Sequence, residues 1–281
     1  MSKIILNGKE LSKKIEEELK EKVRYLKEKT GKVATLATII VGEDPASQTY
    51  VRMKGNACER IGINSLKIEL DKNTTTEGLL EVIENLNADN NVDGILLQHP
   101  VPKHIDERKC FNSISPNKDV DGVTSAGFGA MSMGEDAFAS ATPLGIMKLL
   151  EYYGIDVEGK KAVVIGRSAI LGKPIAMLLL NKNATVTIAH SKTKDLEKVV
   201  KEADIVVACV GKPKFVKKEW LKEGVIIVDA GYNPGNVGDV DLENAIEIAS
   251  AYTPVPGGVG PMTIVSLMFQ TIKSFEKRIN K

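Results

Sequence analysis

Two side chains that lie four residues apart, Tyr50 and Lys54, could do chemistry together. Residues at this spacing project from the same face of a helix. An aromatic ring can stack on a flat heterocycle, while a partly buried lysine beside it has a lowered pKa that suits proton transfer near neutral pH. The same spacing also fits a packed tyrosine beside a solvated lysine, and both interpretations remain open on this pair alone.

Two further polar side chains are candidates: Gln98 lies at the end of an apolar run, and Asp121 lies in a predicted turn. Gln98 ends the run that starts at Gly94, and Pro100 follows it. Asp121 precedes a glycine in the segment 118–122, which reads KDVDG. The amide of Gln98 could orient another group or only cap a strand. The carboxylate of Asp121 could accept N–H groups from a pterin-like ring, or it could be a turn aspartate.

A glycine-bearing turn joins a predicted strand to a predicted helix at residues 166–174, which read GRSAILGKP. Such a turn brings backbone N–H groups and a helix N-terminus to a place where phosphates bind. Gly166 permits the tight turn and Gly172 permits close packing, although Ser168 replaces the middle glycine of the full dinucleotide motif. Many turns of this kind bind nothing, so the motif needs support from its surroundings.

The next predicted strand supplies that support, because it ends at His190 and is followed by Ser191 and Lys192. An acidic residue at this place suits NAD, whereas a hydroxyl and a lysine, with Arg167 in the first turn, suit the 2′-phosphate of NADP. The glycine-rich strand ends at 210–213 and 229–233 either line the same cofactor cleft or are ordinary turns.

Residues 253–263, TPVPGGVGPMT, contain three prolines and three glycines. This composition predicts a rigid, exposed loop that offers peptide groups to a ligand, with a plain linker as the alternative.

The elements that must position these residues alternate between strand and helix, which predicts an α/β fold with parallel sheets. The segment 111–140 is predicted to be irregular, and Ser47 is predicted to cap the second helix. The predicted helices are 11–29, 47–60, 76–87, 142–153, 173–181, 196–203 and 264–279; the predicted strands are 33–41, 64–70, 94–98, 161–165, 184–189, 205–210 and 225–229.

Composition limits the class of protein. The chain has 281 residues, which suits two domains, and its formal net charge of +1 predicts neither a nucleic-acid partner nor a membrane surface. Its three cysteines are far apart and its three histidines lack metal-ligand spacing, so neither a disulfide framework nor a metal site is predicted. No signal peptide or membrane-spanning run is evident, so a cytoplasmic protein is expected.

Taken together, segments 41–54, 98–102, 116–122, 166–174 and 253–263 resemble, in this order, the bifunctional methylenetetrahydrofolate dehydrogenase/cyclohydrolase family. The resemblance covers nearly the whole chain, and the PGGVGPMT stretch and the combination of YxxxK with KDVDG are highly specific to that family.

The resemblance implies two domains with a cleft between them for the reaction. Residues 1–141 plus 264–281 would form an α/β folate-binding catalytic domain, onto which the C-terminal helix packs. Residues 142–263 would form a Rossmann-like NADP-binding domain. The implied activity is oxidation of methylenetetrahydrofolate with NADP, followed by hydrolysis of the product, in one-carbon metabolism that serves purine biosynthesis. A homodimer is also implied.

The resemblance assigns roles residue by residue. Lys54 is implied to be the catalytic lysine, Gln98 to support it, Asp121 to grip the pterin and Tyr50 to stack on the folate. Further substrate contacts are implied for Val51, His99, Pro100, Pro256, Gly257 and Gly258, and cofactor contacts for Gly166, Arg167, Ser168, Ser191 and Tyr232.

The chain departs from the family pattern at several places. His99 and Val101 stand in a segment that usually reads QLPLP, Val123 replaces an aromatic residue, Gly127 an asparagine and Tyr232 an isoleucine. Two other classes remain to be weighed. A quinate or shikimate type dehydrogenase would share the nucleotide-binding half without needing the PGGVGP loop. A catalytically silent NADP-binding regulator would not need the full set of candidate catalytic residues.

Overall fold

The computed structural model describes residues 3–280 as an α/β protein whose sheets are entirely parallel. The chain divides into two compact units. One contains the residues up to Lys13 and Thr142–Thr263 and is called here the six-stranded unit; the other contains Lys14–Ala141 and the residues from Ile264 on and is called the three-stranded unit. The predicted fold class, two α/β domains with parallel sheets, is confirmed.

The three-stranded unit has the strand order β3-β2-β4. β2 is buried from Leu36 to Val41 and forms the centre of this unit's core, as expected for a central parallel strand rich in apolar residues. Its strands are β2 (Thr35–Val41), β3 (Asn64–Leu70) and β4 (Gly94–Leu97), and its helices are α2 (Pro45–Ile61), α3 (Thr76–Ala88), α4 (Glu107–Ser113) and α5 (Ser125–Ser132).

Helix α2 begins one residue after its cap, and that cap is not the predicted one. The Asp44 carboxylate accepts the backbone N–H of Ser47 at 2.8 Å, so Ser47 lies in the first turn and is not the cap. The helix ends at Gly62, which has a left-handed conformation with φ of 88°. These two ends set the position of Lys54 in the middle of the helix.

The prediction that residues 111–140 are irregular is wrong in part. α4 extends to Ser113, and α5 lies within the segment. Each has a side-chain cap: Asp106 accepts the N–H of Lys109, and Thr124 accepts the N–H of Gly127. The glycines and serines of α5 weaken its helical periodicity, which is why sequence pattern alone overlooked it.

The C-terminal part of helix α10 (Val259–Ile279) packs on the three-stranded unit, as predicted. Arg278 donates to the fully buried carboxylate of Asp93, with Nε 2.7 Å from Oδ1. The Gln270 amide donates to the carbonyl oxygen of Val120 at 2.7 Å, and the side chain of Phe275 is 1% exposed. The end of the chain is therefore part of the scaffold beneath the 118–122 segment.

The six-stranded unit has the strand order β1-β9-β8-β7-β5-β6. The order reverses at β5, which is flanked by β6 and β7, and ligands of open α/β sheets bind at such a reversal. Its strands are β1 (Ile4–Ile5), β5 (Lys161–Ile165), β6 (Thr185–Ala189), β7 (Ile205–Ala208), β8 (Val225–Asp229) and β9 (Ala249–Tyr252); the remaining helices are α1 (Gly8–Thr30), α6 (Ala141–Tyr152), α7 (Gly172–Asn181), α8 (Leu196–Lys201) and α9 (Leu242–Ala245).

The proline- and glycine-rich stretch is shorter and less exposed than predicted. Its last five residues already belong to α10, which begins at Val259, and Pro261 sits in the first turn, where a missing N–H costs nothing. Thr253 is fully buried, and its hydroxyl accepts the N–H of Asp229 at 2.8 Å. Within the stretch, Pro256 and Gly260 are the exposed residues.

Across residues 3–280, no helix combines the length and apolar character needed to cross a membrane. Within the same residues, no cluster of three or more His, Cys, Asp or Glu side chains is arranged to hold a metal ion.

Candidate active site

The centre of the candidate site is a buried hydrogen bond between Lys54 and Gln98. Lys54 Nζ donates to Gln98 Oε1 at 2.9 Å, and both residues are less than a tenth exposed. The other end of the amide is also used, because Gln98 Nε2 donates to the carbonyl oxygen of His99 at 2.8 Å. Two contacts fix the amide, so Gln98 presents its oxygen to the ammonium in a single orientation.

Burial drives the charged side chains of this site towards their neutral forms. Desolvation lowers the pKa of Lys54, and the nearby charge of Asp121 only partly opposes that shift. Desolvation raises the pKa of Asp121 to about 6; Lys54 and His99 act in the opposite direction, while Asp119 reinforces the rise. An amine that loses its proton more easily than an exposed lysine, beside a carboxyl group that titrates near 6, is suited to proton exchange.

The segment that carries Asp121 is held by buried partners that sequence reasoning missed. The carboxylate of Asp119 is 1% exposed and accepts the N–H groups of Val123 and Thr124 at 3.0 Å each. Gly122 has φ of 63° and is pressed against the backbone of Ala139, where any side chain would collide. In this segment Asp119 therefore stabilises the loop, whereas Asp121 interacts with Lys54 of the candidate site.

The remaining predicted substrate contacts of this unit lie on the same elements. Tyr50 stands one helical turn before Lys54 and is 41% exposed, while Val51 is buried. His99 and Pro100 follow Gln98 and are both exposed. The structure thus groups Tyr50, Val51, Lys54, Gln98, His99, Pro100 and Asp121 in the three-stranded unit, on helix α2, after strand β4 and in the 118–122 segment.

A second carboxylate that the sequence did not single out contacts His99. Glu107, the first residue of α4, places Oε1 2.6 Å from His99 Nδ1 and also accepts the backbone N–H of Val101 at 3.3 Å. The only sequence signal for this pair was the eight-residue spacing of a histidine and a glutamate across the turn, which is too weak to be recognised without the fold.

Two of the departures from the family pattern lie at crowded or buried positions. A Cβ at Gly127 would lie 2.9 Å from the Thr124 hydroxyl and 3.1 Å from the Asp119 carboxylate, so a larger residue there would crowd the cap of α5. Val123 is 7% exposed and fills a buried position.

The glycine-bearing turn of the six-stranded unit has the geometry of a phosphate-binding turn. Gly166 has φ of 133°, and a Cβ there would lie 2.4 Å from the carbonyl oxygen of Cys209. A Cβ on Gly172 would lie 2.3 Å from the carbonyl oxygen of Gly166. The Ser168 hydroxyl accepts the N–H groups of Leu171 and Gly172 at 3.2 Å and so shapes the start of α7. Only glycine fits at 166 and 172.

The residues predicted to favour NADP over NAD follow the carboxyl ends of two neighbouring strands. β5 and β6 pair in parallel, with Ile165 opposite Ala189. Arg167 and Ser191 each follow two residues after these partners, and both are exposed, as is Lys192. The guanidinium, hydroxyl and ammonium groups that follow these strand ends are hydrogen-bond donors of the kind that bind a 2′-phosphate.

The other strand ends of this unit are organised by Asp239, which is fully buried. Its carboxylate accepts the backbone N–H groups of Val210, Gly211 and Lys212 at 2.6 to 2.9 Å. Tyr232, predicted to contact the cofactor, is 61% exposed and donates its hydroxyl to Asn236. The loops after β7 and β8 are therefore fixed structures rather than loose connections.

Pro256, Gly257 and Gly258, the last predicted substrate contacts, belong to the six-stranded unit. Gly257 has φ of 101°, and its carbonyl oxygen accepts the N–H of Lys9 at 2.8 Å. Gly258 has no room for a side chain, because a Cβ would lie 2.6 Å from the carbonyl oxygen of Pro254. This backbone is rigidly held, as predicted for the stretch.

Comparison with known proteins agrees with both halves of this description. A family model for the catalytic domain of tetrahydrofolate dehydrogenase/cyclohydrolase matches residues 6–121, and a model for the NAD(P)-binding domain of the same family matches residues 140–279. The chain is 61% identical over 279 residues to the bifunctional protein FolD of Cellvibrio japonicus, covering 99% of this chain and 100% of that protein.

Two solved structures are similar throughout. The bifunctional FolD methylenetetrahydrofolate dehydrogenase/cyclohydrolase of Campylobacter jejuni has a TM-score of 0.96 at 48% identity, covering 99% of this chain and 100% of that one. The FolD enzyme of Trypanosoma brucei, solved with NADP cofactor and inhibitor, has a TM-score of 0.96 at 35% identity and covers all of both chains.

The fold and the site define an enzyme with one unit for a nicotinamide nucleotide and another with a buried lysine site. The chain belongs to the tetrahydrofolate dehydrogenase/cyclohydrolase family. The resemblance seen in the sequence is confirmed, and the alternative of a quinate or shikimate type dehydrogenase is wrong. Family membership also makes the chain an enzyme rather than a silent nucleotide-binding protein.

Proposed function

We propose that the chain oxidises 5,10-methylenetetrahydrofolate to 5,10-methenyltetrahydrofolate with NADP and then hydrolyses the product to 10-formyltetrahydrofolate. The observation that carries this proposal is the buried Lys54–Gln98 hydrogen bond beside Asp121, one turn from Tyr50, in a chain of this family. The product would supply formyl groups to one-carbon metabolism, including purine biosynthesis.

The hydrolytic step depends on the three-stranded unit. The ring of Tyr50 stacks on the folate, and the carboxyl group of Asp121 accepts N–H groups of the pterin. Lys54, held by Gln98, assists proton transfer as water adds to the methenyl carbon and the ring opens. Burial lowers the pKa of Lys54, so its amine is available as a proton acceptor at a pH where an exposed lysine is not. Val51, His99 and Pro100 complete the proposed substrate contacts of this unit.

The oxidative step depends on the nucleotide turn. NADP supplies the hydride acceptor, and the chain binds and orients it. Gly166 and Ser168 would present the turn to the pyrophosphate, Arg167 and Ser191 would hold the 2′-phosphate, and Tyr232 would contact the cofactor. The close fit of Gly172 against Gly166 keeps the turn free of side-chain atoms, which supports this assignment.

The test is a dehydrogenase assay with methylenetetrahydrofolate and either NADP⁺ or NAD⁺, followed by the absorbance of the reduced nicotinamide. Reduction of NADP⁺ in preference to NAD⁺ is expected. Arg167→Ala should raise KM for NADP⁺ about 10-fold or more, as expected for a lost charged contact, while KM for NAD⁺ changes little. No reduced cofactor with either nucleotide would reject the dehydrogenase, and a preference for NAD⁺ would reject the roles of Arg167 and Ser191.

We also propose a homodimer in the cytoplasm. The supports are the family resemblance, three cysteines that are free in the structure, and the exposed edge strand β3 with Leu66 41% exposed. Light scattering coupled to gel filtration tests the first point: a mass close to twice 30.5 kDa is expected, and a mass of one chain would contradict it.

A further inference from the structure

A histidine and a glutamate form a pair next to the candidate catalytic lysine. His99 Nδ1 lies 2.6 Å from Glu107 Oε1. An ionised glutamate offers only acceptors, so Nδ1 carries the proton and Nε2 remains available as an acceptor. The backbone N–H of Val101 donates to the same carboxylate oxygen at 3.3 Å and helps to hold it in place. The pair has the arrangement in which a carboxylate sets the tautomer and orientation of an imidazole.

Two observations place this pair next to the buried site. Gln98, the direct partner of Lys54, donates its amide N–H to the carbonyl oxygen of His99. The charge of His99 also acts on Asp121, on which Lys54 acts as well. Exposure to solvent increases from Lys54 to Asp121 to His99. Lys54 is buried, Asp121 is partly buried, and the side chain of His99 is 47% exposed.

The proposed hydrolysis must deliver a proton to solvent. Water forms a bond from its oxygen to the methenyl carbon, and the bond from that carbon to the pterin-ring nitrogen breaks with its electron pair going to the nitrogen. One proton of the water ends on that nitrogen, and the other must leave, because a cationic methenyl group becomes a neutral formyl group. A buried lysine that accepts this proton needs a partner to pass it on before the next turnover.

We propose that His99, oriented by Glu107, receives the proton released in hydrolysis from the Lys54–Asp121 pair at Nε2 and passes it to solvent. The inference rests on the proposed cyclohydrolase function and adds a proton-transfer residue to it. Histidine is the side chain whose charge ordinarily changes between pH 5 and 8, which suits it to a relay between a buried amine and bulk water.

The charged groups around His99 favour this role. Glu107 pairs with its Nδ1, and the carboxyl group of Asp121 is close enough to interact with it electrostatically. His104, in the same segment, is occupied differently, because its Nε2 contacts the carbonyl oxygen of Thr74 at 2.9 Å. It is therefore a matched control for the loss of an exposed imidazole.

The test measures hydrolysis of methenyltetrahydrofolate by the full-length enzyme, with and without added imidazole. His99→Asn should lower cyclohydrolase kcat at least about 10-fold, within the range expected for loss of a proton-transfer group. Imidazole should restore the rate in a saturable way, after subtraction of the reaction that imidazole catalyses without enzyme. His104→Asn should hydrolyse at the wild-type rate and should not respond to imidazole. Glu107→Ala should also be impaired, and Glu107→Gln, which keeps an acceptor for Nδ1, should recover most of the loss.

The outcomes separate this inference from the function on which it rests. If the wild-type enzyme does not hydrolyse the substrate, the proposed function fails. If the wild-type enzyme hydrolyses it and His99→Asn does so equally well, or loses activity without any response to imidazole, the relay is wrong while the cyclohydrolase assignment stands. A rise in KM with unchanged kcat would make His99 a substrate contact only and would also overturn the relay.

Discussion

Replacing Asp121 with asparagine should make the protein more stable at neutral pH. The pKa of this carboxyl group is about 6 in the folded chain, against an ordinary 3.8. Between these values the unfolded chain has released the proton and the folded chain has kept it, so raising the pH through this window lowers the free energy of unfolding. This rise in the pKa corresponds to a penalty of about 3 kcal/mol above pH 7.

Asparagine has the same shape and no charge to desolvate, so the variant should escape this penalty. The gain in the free energy of unfolding should be about 3 kcal/mol at pH 7.5, roughly half of that at pH 5 and small at pH 4. Urea unfolding followed by circular dichroism across this range measures it. The attraction between Asp121 and Lys54 lowers this pKa and is already included in its value, so it is not subtracted from the gain a second time.

Asp136→Asn is the matched control, because it should change stability in the opposite direction. Hydrogen bonds from Lys277 and Lys273 lower the pKa of Asp136 to about 2. Its removal should lower stability at neutral pH, and that loss should fade as the pH falls towards the folded pKa. If Asp121→Asn is no more stable than the wild type at pH 7.5, or if its gain does not depend on pH, the desolvation of Asp121 is refuted.

Three other substitutions test the scaffold around the two sites. Gln98→Leu leaves the buried ammonium without its acceptor, so cyclohydrolase kcat should fall about 10- to 100-fold, equivalent to about 1.5–3 kcal/mol; an unchanged rate would contradict the supporting role. Gly172→Ala places a methyl group 2.3 Å from a backbone oxygen and should weaken NADP binding in a fluorescence titration. In the control Gly260→Ala the methyl group meets open space, so NADP should bind with normal affinity. Equal affinities of the two variants would refute the close fit at Gly172. Arg278→Met removes the cation that pairs with the buried Asp93 carboxylate, so the free energy of unfolding measured in urea should fall by about 2 kcal/mol. A loss below about 0.5 kcal/mol would mean that the pair contributes no more than a weak surface contact.

Sequence pattern predicted the elements with strong periodicity and the residues with unusual spacing. β2, β3, β5 and β8 lie within or at the predicted bounds, because their apolar runs are bounded by turn residues. The pairing of Gln98 with Lys54 was expected only from the family resemblance, and the structure has a hydrogen bond between the two side chains.

What the sequence did not predict depends on contacts between distant residues. Asp44 rather than Ser47 caps α2, because both are good caps and only the backbone decides between them. Strand β1 has two residues and gains its place solely by pairing with β9. Gln270 supports the 118–122 segment from about 150 residues away, and no local pattern marks such a partner.

The role of Lys54 is tested most directly by supplying methenyltetrahydrofolate to Lys54→Met and measuring its hydrolysis, so that the oxidative step is not needed. Lys109→Met, which removes an exposed lysine of α4, is the control. We expect Lys54→Met to lose hydrolysis while binding NADP with wild-type affinity, and Lys109→Met to keep both. Full hydrolysis by Lys54→Met would contradict the assignment of Lys54 as the catalytic lysine.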